Sequence, residues 1–218
     1  ASLKSLNLAF SQLKTKVYGK ALLEFDGRYV SYKAGNLPFR EYLDYLVGLA
    51  KKKNIDLAHF KNILLLDRSL AAEQGIDFKR ANIERDDLVQ LLHKELSEKE
   101  VEGLVAKTVE YKMERLSQKA FYLYLIKQAR SLGNDLAAYP DLQKYVAYVS
   151  LYESIDRTKI MDEVALLEDR LKESLFENDT QKELALLSKD LAILKNIFNI
   201  SLTRDDYRYY LAHRDAFA

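Results

Sequence analysis

Residues 157–199 decide the fold class, and they read RTKIMDEVALLEDRLKESLFENDTQKELALLSKDLAILKNIFN. Apolar side chains recur in this stretch at steps of three and four residues, the spacing that places them on one face of an α-helix. The first row consists of Ile160, Val164, Leu167, Leu171 and Leu175. The second row consists of Leu184, Leu187, Leu191, Leu194 and Phe198. The stretch therefore predicts two amphipathic helices.

A short polar segment at 177–179 separates the two rows. Directly after it, Thr180 and Glu183 have the spacing of a capping box, in which side chains and backbone amides pair at the start of a helix. We therefore place the two helices at about 157–176 and 180–199. Helices joined by so few residues lie antiparallel beside each other. The sequence thus predicts a coiled-coil-like αα-hairpin in the C-terminal third of the chain.

The rest of the 218 residues also favours helices, because 7 glycines and 2 prolines are too few for the turns of an all-β chain. Ser97 and Glu100 form another predicted capping box, and no proline interrupts 97–132 before Gly133. Apolar residues recur along this segment at Val105, Val109, Met113, Leu116, Ala120 and Leu123. One helix of this length would be a rod of roughly 50 Å. We therefore predict an all-α, elongated multi-helix bundle.

The N-terminal segment 21–32 permits two interpretations. Asp26-Gly27 is a common two-residue turn between paired strands, and strand-forming residues follow it, which predicts a β-hairpin. The alternative is one helix from about Leu6 to Lys33 that ends at Gly35. We favour the helix, because the sequence downstream is helical throughout.

Further helix boundaries follow from capping residues and prolines. The predicted starts are Pro38, for a helix reaching Lys53, and Asp56, Asp77, Pro140 and Thr203. The helix that begins at Pro140 either ends near Tyr152 or continues, bent near Asp156, toward Phe176. We interpret 1–218 as one helical domain, with a helical bundle at 1–133 and a hairpin with a terminal helix at 140–218 as the alternative division.

The charge balance excludes a general attraction to nucleic acid, because 34 Lys and Arg residues face 33 Asp and Glu residues. No apolar run is long enough to span a membrane, the longest being 121–126. The chain has no cysteine and begins at Ala1, which suits a trimmed chain, a fragment or a mature exported protein. We expect a soluble protein and favour the cytoplasm, with export as the alternative.

Motifs for catalysis or cofactor binding are missing from the sequence. It contains no glycine-rich phosphate loop and no Gly-x-Ser-x-Gly motif. The histidines are His59, His93 and His213, and none has the spacing of a bundle metal site except His59, three residues after a predicted helix cap. A carboxylate site at Glu110 and Glu114 is an alternative to a solvated charged face. We predict no catalytic residue, metal ligand or cofactor.

Tyrosine is the unusual residue of this composition, with 15 tyrosines and no tryptophan. Tyr145, Tyr148 and Tyr152 share one face of a predicted helix, and Tyr207 and Tyr210 lie close together near the end. Such rings are favoured where an apolar surface meets water, as in protein interfaces. These five tyrosines are the predicted partner-binding residues, and packing at the core boundary is the alternative.

The functional hypothesis is a non-catalytic helical interaction or scaffold module that binds another protein or a second copy of itself. The alternatives are a helical-bundle enzyme or a small-molecule or metal-binding protein, with a site built from residues distant in sequence, and a regulatory part of a larger protein. Whether the chain is an enzyme stays open, with the non-enzyme favoured.

Overall fold

The structure is a computed structural model that describes residues 3–217, and their side chains except at 3, 4, 204, 205, 216 and 217. Over this range it is helical and contains no strand, which confirms the all-α prediction. The α-helices are α1 (Leu3–Val17), α2 (Lys20–Lys33), α3 (Phe39–Lys52), α4 (Lys61–Glu73), α5 (Phe78–Glu95), α6 (Glu98–Lys112), α7 (Gln118–Ser131), α8 (Pro140–Tyr152), α9 (Ile160–Leu175), α10 (Asp179–Phe198) and α11 (Arg204–Ala212). Short 3-10 helices occur at Leu136–Ala138 and Arg214–Phe217.

Two compact units make up the described chain. The first unit contains the described residues up to Ile55 together with those from Leu166 onward, and the second unit is Asp56–Ala165. The boundary between them falls inside α9. Both predicted domain divisions, one domain or a split between 133 and 140, stay predictions.

The second unit is built around α8, which packs against α4, α5 and α7. Its core contains Leu88 and Leu92 from α5, Leu125 from α7, and Leu142 and Val146 from α8. Each helix contributes a row of apolar residues three or four positions apart, so a single face of each is removed from water. These residues are at most 6% exposed.

A residue distant in sequence accepts hydrogen bonds from the backbone amides at the start of α4. The Glu163 carboxylate accepts the backbone N–H groups of Asn62 and Ile63 at 2.9 and 3.1 Å, and the Asn62 side-chain amide at 2.6 Å. Asn62 in turn accepts the backbone N–H of Asp156 at 2.8 Å. The prediction that Asp56 caps this helix is wrong, because its carboxylate instead accepts the Ala58 N–H in the preceding turn.

The start of α8 lies at Pro140, as the sequence predicted. Buried Glu84, on α5, accepts the Leu142 N–H at 2.8 Å and the Arg80 guanidinium at 3.2 Å. Arg80 also lies 3.4 Å from buried Asp141, which is paired with Lys144 at 3.0 Å. The otherwise unpaired amide and the negative charges at this helix start are thereby satisfied inside the unit.

The core of the first unit draws on α2, α3, α9 and α10. Leu22, Leu43 and Leu46 are 0–1% exposed. On the part of α9 that belongs to this unit, the predicted residues Leu167, Leu171 and Leu175 are each at most 4% exposed. Helix α10 contacts α1, and the side chain of buried Gln181 donates to the Val17 carbonyl at 3.0 Å. The helices of this unit are therefore joined by both apolar packing and a buried polar contact.

The predicted hairpin is consistent with the structure, although its cap and its return row differ. Asn178, not Thr180, caps α10, because its side chain accepts the Gln181 N–H at 3.0 Å. In the return row Leu184 and Leu191 are buried, whereas Leu187 is 55% and Phe198 is 70% exposed. Ala185 and Ile193 are buried instead, since α10 also covers α1 and uses a wider face than a coiled-coil seam. The coiled-coil geometry itself stays a prediction.

The continuous helix predicted over 97–132 is wrong. The Ser97–Glu100 pairing occurs as expected, but α6 ends at Lys112 and α7 begins at Gln118. Glu114 adopts a left-handed backbone, with φ of 56°, and Ser117 caps α7 by accepting the Ala120 N–H at 3.2 Å. A helix stop followed by a serine cap therefore replaces the rod.

Two other predicted helices are shorter than the sequence suggested. The segment 21–32 is helical, so the β-hairpin is excluded, but α1 and α2 separate at Gly19, which adopts an extended backbone. Of the two extents allowed for the helix from Pro140, the structure has the shorter one, since α8 ends at Tyr152 and does not continue toward Phe176. In the intervening turn, Asp156 accepts the N–H and hydroxyl of Thr158 at 3.0 and 2.7 Å. The predicted helix starts at Asp77 and Thr203 are confirmed, the second through a capping box between Thr203 and Asp206. Helix α3 ends at Lys52, one residue before its predicted end.

Glycine is required at Gly35 but not at Gly27. Gly35 ends α2 with φ of +76°, while Gly27 lies inside the helix, and a Cβ at either position would meet no atom within 4 Å. We expect Gly35→Ala to lower the free energy of unfolding by about 1 kcal/mol, because alanine is strained at positive φ. Gly27→Ala should raise it by roughly 0.5–1 kcal/mol, because alanine favours helix. Urea unfolding of both variants tests this, and an equal effect of the two would contradict it.

Candidate functional site

The predicted partner-binding tyrosines fall into two separate sets. Tyr145, Tyr148 and Tyr152 lie on α8 in the second unit, whereas Tyr207 and Tyr210 lie on α11 in the first unit. Tyr207 is 53% exposed and Tyr210 is half-buried. Their role in binding a partner stays a prediction.

The tyrosines of α8 form a row of touching rings. Tyr148 lies between Tyr145 and Tyr152, with ring centroids 6.2 and 6.0 Å away. Phe78, on α5, meets Tyr145 and Tyr148 edge-on at 6.0 and 6.4 Å. Tyr152 is 41% and Phe78 is 43% exposed, while Tyr145 and Tyr148 are half-buried. The exposed surface of this row is thus provided mainly by Tyr152 and by the neighbouring Phe78.

The other end of the row continues into the core of the second unit. Tyr145 meets Tyr122 edge-on at 5.2 Å, and Tyr122 is 2% exposed. Beside it Tyr111 stacks on Phe121 at 4.4 Å. These contacts stabilise the packing of α6, α7 and α8, since aromatic pairs contribute about 0.5–1.5 kcal/mol each beyond area burial. The tyrosines of α8 therefore serve the core as well as the surface.

An apolar row on α6 faces away from the core. Leu104 is the buried residue of this helix, yet Val105, Val109 and Met113 are 54, 45 and 58% exposed. Val101 extends the row by one turn and, unlike the other three, is half-buried because it also packs against the core of this unit. Residues four apart lie above one another on a helix, so these side chains form a single stripe. We call Val101, Val105, Val109 and Met113 the α6 stripe.

Opposite charges flank the α6 stripe at its two ends. Glu98 lies seven residues before Val105 and Lys112 seven residues after it, which is two turns in each direction and hence the same face. Both side chains are exposed, and neither makes a hydrogen bond or ion pair with the part of the chain that the structure describes. The stripe therefore has an acidic end, an apolar middle and a basic end.

A buried carboxylate lies in the interior of the first unit. Glu168, on α9, is 8% exposed and accepts the Tyr42 hydroxyl at 2.9 Å. Burial raises the pKa of Glu168, while the Lys33 ammonium and the bond from Tyr42 oppose the rise. Tyr32 stacks on Tyr42 with ring centroids 4.4 Å apart, and burial also raises the pKa of Tyr42. Among the described residues, Glu168 thus accepts a single hydrogen bond, and it lies close to two stacked tyrosine rings.

The next turn of α9 carries a partly buried lysine. Burial lowers the pKa of Lys172, and the ammonium groups of Lys14 and Lys189 add to this, while Asp26 and Asp169 oppose it. Lys14 and Asp26 pair with each other at 2.8 Å. Within the described residues, Lys172 makes no hydrogen bond or ion pair. Its positive charge is thus left without a direct partner.

A cleft of about 190 Å³ opens between α9 and α10 beside Lys172. Phe176, Ala185 and Leu186 provide its apolar lining. Its charged lining consists of Asp169, Lys172, Glu173, Lys182 and Lys189. Lys182 is paired with Glu173, and the Lys189 ammonium lies 4.3 Å from the ring centroid of Tyr209. The cleft thus combines an apolar wall with more positive than negative groups.

Among the described side chains, no group of three or more histidine, aspartate or glutamate residues could hold a metal ion. All three histidines are exposed, and Glu110 is paired with Lys107 at 2.8 Å. Across the same residues no helix has both the length and the apolar character to cross a membrane.

Sequence reasoning missed three of these features. It placed Val105, Val109 and Met113 on the apolar row of one long helix, and the spacing alone did not show that these three residues are exposed. The interior position of Glu168 had a signal in the sequence, because Glu168 follows Val164 by four residues and precedes Leu171 by three. The cleft left none, since it combines residues from two helices.

Comparisons with known proteins leave these sites without an assignment. No protein-family model, curated protein or solved structure matches the chain. What the α6 stripe and the α9–α10 cleft do must therefore be argued from their own chemistry.

Proposed function

We propose that the protein is a non-catalytic helical interaction module that associates with a second copy of itself through the α6 stripe. The observation that carries this proposal is an exposed apolar row with opposite unpaired charges at its ends. An apolar stripe on a helix is normally turned toward a partner element. Within the second unit α6 already covers the core through Leu104 and Tyr111, and Val101 at one end of the stripe also contacts this core.

The charges select the antiparallel arrangement of two copies. With a two-fold axis at Val105, Val101 meets Val109 of the other copy and Val105 meets its own equivalent. Glu98 of each copy then faces Lys112 of the other, so both ends carry an ion pair. A parallel arrangement would place Glu98 against Glu98 and Lys112 against Lys112. Rows of residues four apart also pack well into each other at a helix crossing.

The size of the α6 stripe determines how tightly two copies are expected to bind. Stable protein interfaces bury about 1,200–2,000 Å² in total, more than the faces of two 15-residue helices provide on their own. We therefore expect a reversible dimer with a dissociation constant of roughly 10 μM to 1 mM. The tyrosine row of α8 stays available for a different protein.

Sedimentation equilibrium over a range of protein concentrations tests the stripe. Val105→Asp should weaken the dimer about 100-fold or more, because it places two carboxylates together at the two-fold axis. Ala106→Asp is the matched control, since Ala106 is exposed on α6 but points away from the stripe. Association that survives Val105→Asp, or a chain that is monomeric at 1 mM, would overturn the proposal.

A charge exchange tests the antiparallel orientation separately. Glu98→Lys and Lys112→Glu should each weaken the dimer by bringing like charges together, and the double variant should regain the affinity of the unchanged chain. Raising the salt concentration should reduce all three differences. If the double variant loses as much binding free energy as the two single variants together, this pairing is excluded.

A further inference from the structure

We propose that the cleft between α9 and α10 binds a small organic anion with one apolar ring, such as an aromatic carboxylate, whose charge pairs with Lys172. The proposal concerns the first unit and does not depend on the α6 stripe.

The missing counter-charge of Lys172 is the first argument. A partly buried charge is costly unless it is paired or hydrogen-bonded. Within the described residues Lys172 has neither, although it opens onto the cleft. An anion bound there would supply the absent acceptors, and a hydrogen bond between two charged groups is stronger than one between neutral groups.

The remaining charges of the cleft also favour an anion. Lys182 and Glu173 satisfy each other across the turn between α9 and α10. This leaves Lys172 and Lys189 against Asp169, so the positive groups are in excess by one. Lys189 is exposed and rests over the ring of Tyr209, which still leaves its ammonium hydrogens for a ligand.

The shape and the apolar wall define the rest of the ligand. Phe176 is half-buried and Leu186 is 47% exposed, so both present apolar surface to the cleft. Drug-sized ligands generally occupy about 300–1,000 Å³, whereas this cleft has about 190 Å³. A single ring that carries one carboxylate fits this volume, and its ring can cover Phe176 and Leu186.

Titration with sodium benzoate, followed by nuclear magnetic resonance shifts of the backbone amides, tests the proposal. We expect the largest shifts in the amides of 169–176 and 182–189, and much smaller shifts with benzamide, the neutral analogue of the same shape. Equal binding of benzamide, shifts located elsewhere, or no saturable shift at 20 mM benzoate would overturn the proposal.

Substitution of the lysine provides the second arm of the test. Lys172→Met removes the charge but keeps a long apolar stem, and should weaken benzoate binding about tenfold or more. Lys172→Arg should keep most of the binding, because arginine restores the charge. Lys195→Met is the control, since Lys195 is an exposed lysine of α10 outside the cleft. If Lys172→Met binds benzoate as well as Lys195→Met does, Lys172 is not the anion site.

Discussion

Glu163→Ala should lower the free energy of unfolding by about 3 kcal/mol. The Glu163 carboxylate accepts two backbone N–H groups at the start of α4 and the side-chain amide of Asn62. Hydrogen bonds to a charged acceptor contribute about 1.5–3 kcal/mol, and partly buried donors left without an acceptor add a desolvation penalty. Asn62 would also lose its orientation toward the Asp156 N–H. Urea unfolding measures the loss.

Asp162→Ala is the control for this prediction. Asp162 precedes Glu163 in the first turn of α9 and is exposed, so it shares the favourable interaction of an acid with a helix start. We expect its replacement to cost roughly 0.5 kcal/mol. Similar losses for Asp162→Ala and Glu163→Ala would show that the distant cap on α4 contributes little.

Tyr42→Phe should cost about 2–3 kcal/mol at pH 7. The substitution removes the hydroxyl that donates to Glu168 and leaves the ionised carboxylate without its partner in a buried position. Burial raises the pKa of Glu168 in the folded chain, so as the pH falls the folded chain binds this proton before the unfolded chain does. Below the ordinary glutamate pKa of about 4.3 it is neutral, and the cost should shrink.

Glu168→Gln tests whether ionisation of Glu168 stabilises or destabilises the folded chain. Because the pKa of Glu168 is raised in the folded chain, its ionisation lowers the free energy of unfolding. This loss is absent below the pKa of the unfolded chain and is complete once the pH has risen through the pKa of the folded chain. Glutamine cannot ionise and should make the chain more stable at pH 7, with the gain disappearing near pH 4. In this variant Tyr42→Phe should cost about 1 kcal/mol. A pH-independent difference between the unchanged chain and Glu168→Gln would contradict the account.

Local signals predicted the helix boundaries that local chemistry controls. The Ser97–Glu100 and Thr203–Asp206 pairs and Asp77 mark helix starts in the structure, because each pairs with amides of its own first turn. Pro140 marks another, because its fixed φ suits the first helical position. At α4, where a residue distant in sequence provides the cap and no proline marks the start, the prediction was wrong. Glu163 caps α4 from about 100 residues away, and Asp56 merely forms a turn.

Apolar periodicity predicted which residues can be buried but not which of them are. On α9 the row is buried from Val164 to Leu175, and Ile160 is half-buried. On α6 a row with the same kind of spacing is exposed, because α6 stops at Lys112 and uses Leu104 and Tyr111 for the core. The prediction had no way to separate these cases, since both rows satisfy the helical period and only the tertiary fold decides which face is covered.

Pairing of two α6 helices about a two-fold axis at Val105 is the central claim, and the cysteine-free chain permits a direct measurement of it. A single Val105→Cys substitution should place two thiols together at the axis, so mild oxidation of the protein near 100 μM should give a disulfide-linked dimer. Lys99→Cys, on an exposed part of α6 away from the stripe, should remain monomeric although a maleimide labels it equally well. Equal cross-linking of both variants, or none at Val105→Cys, would contradict the account.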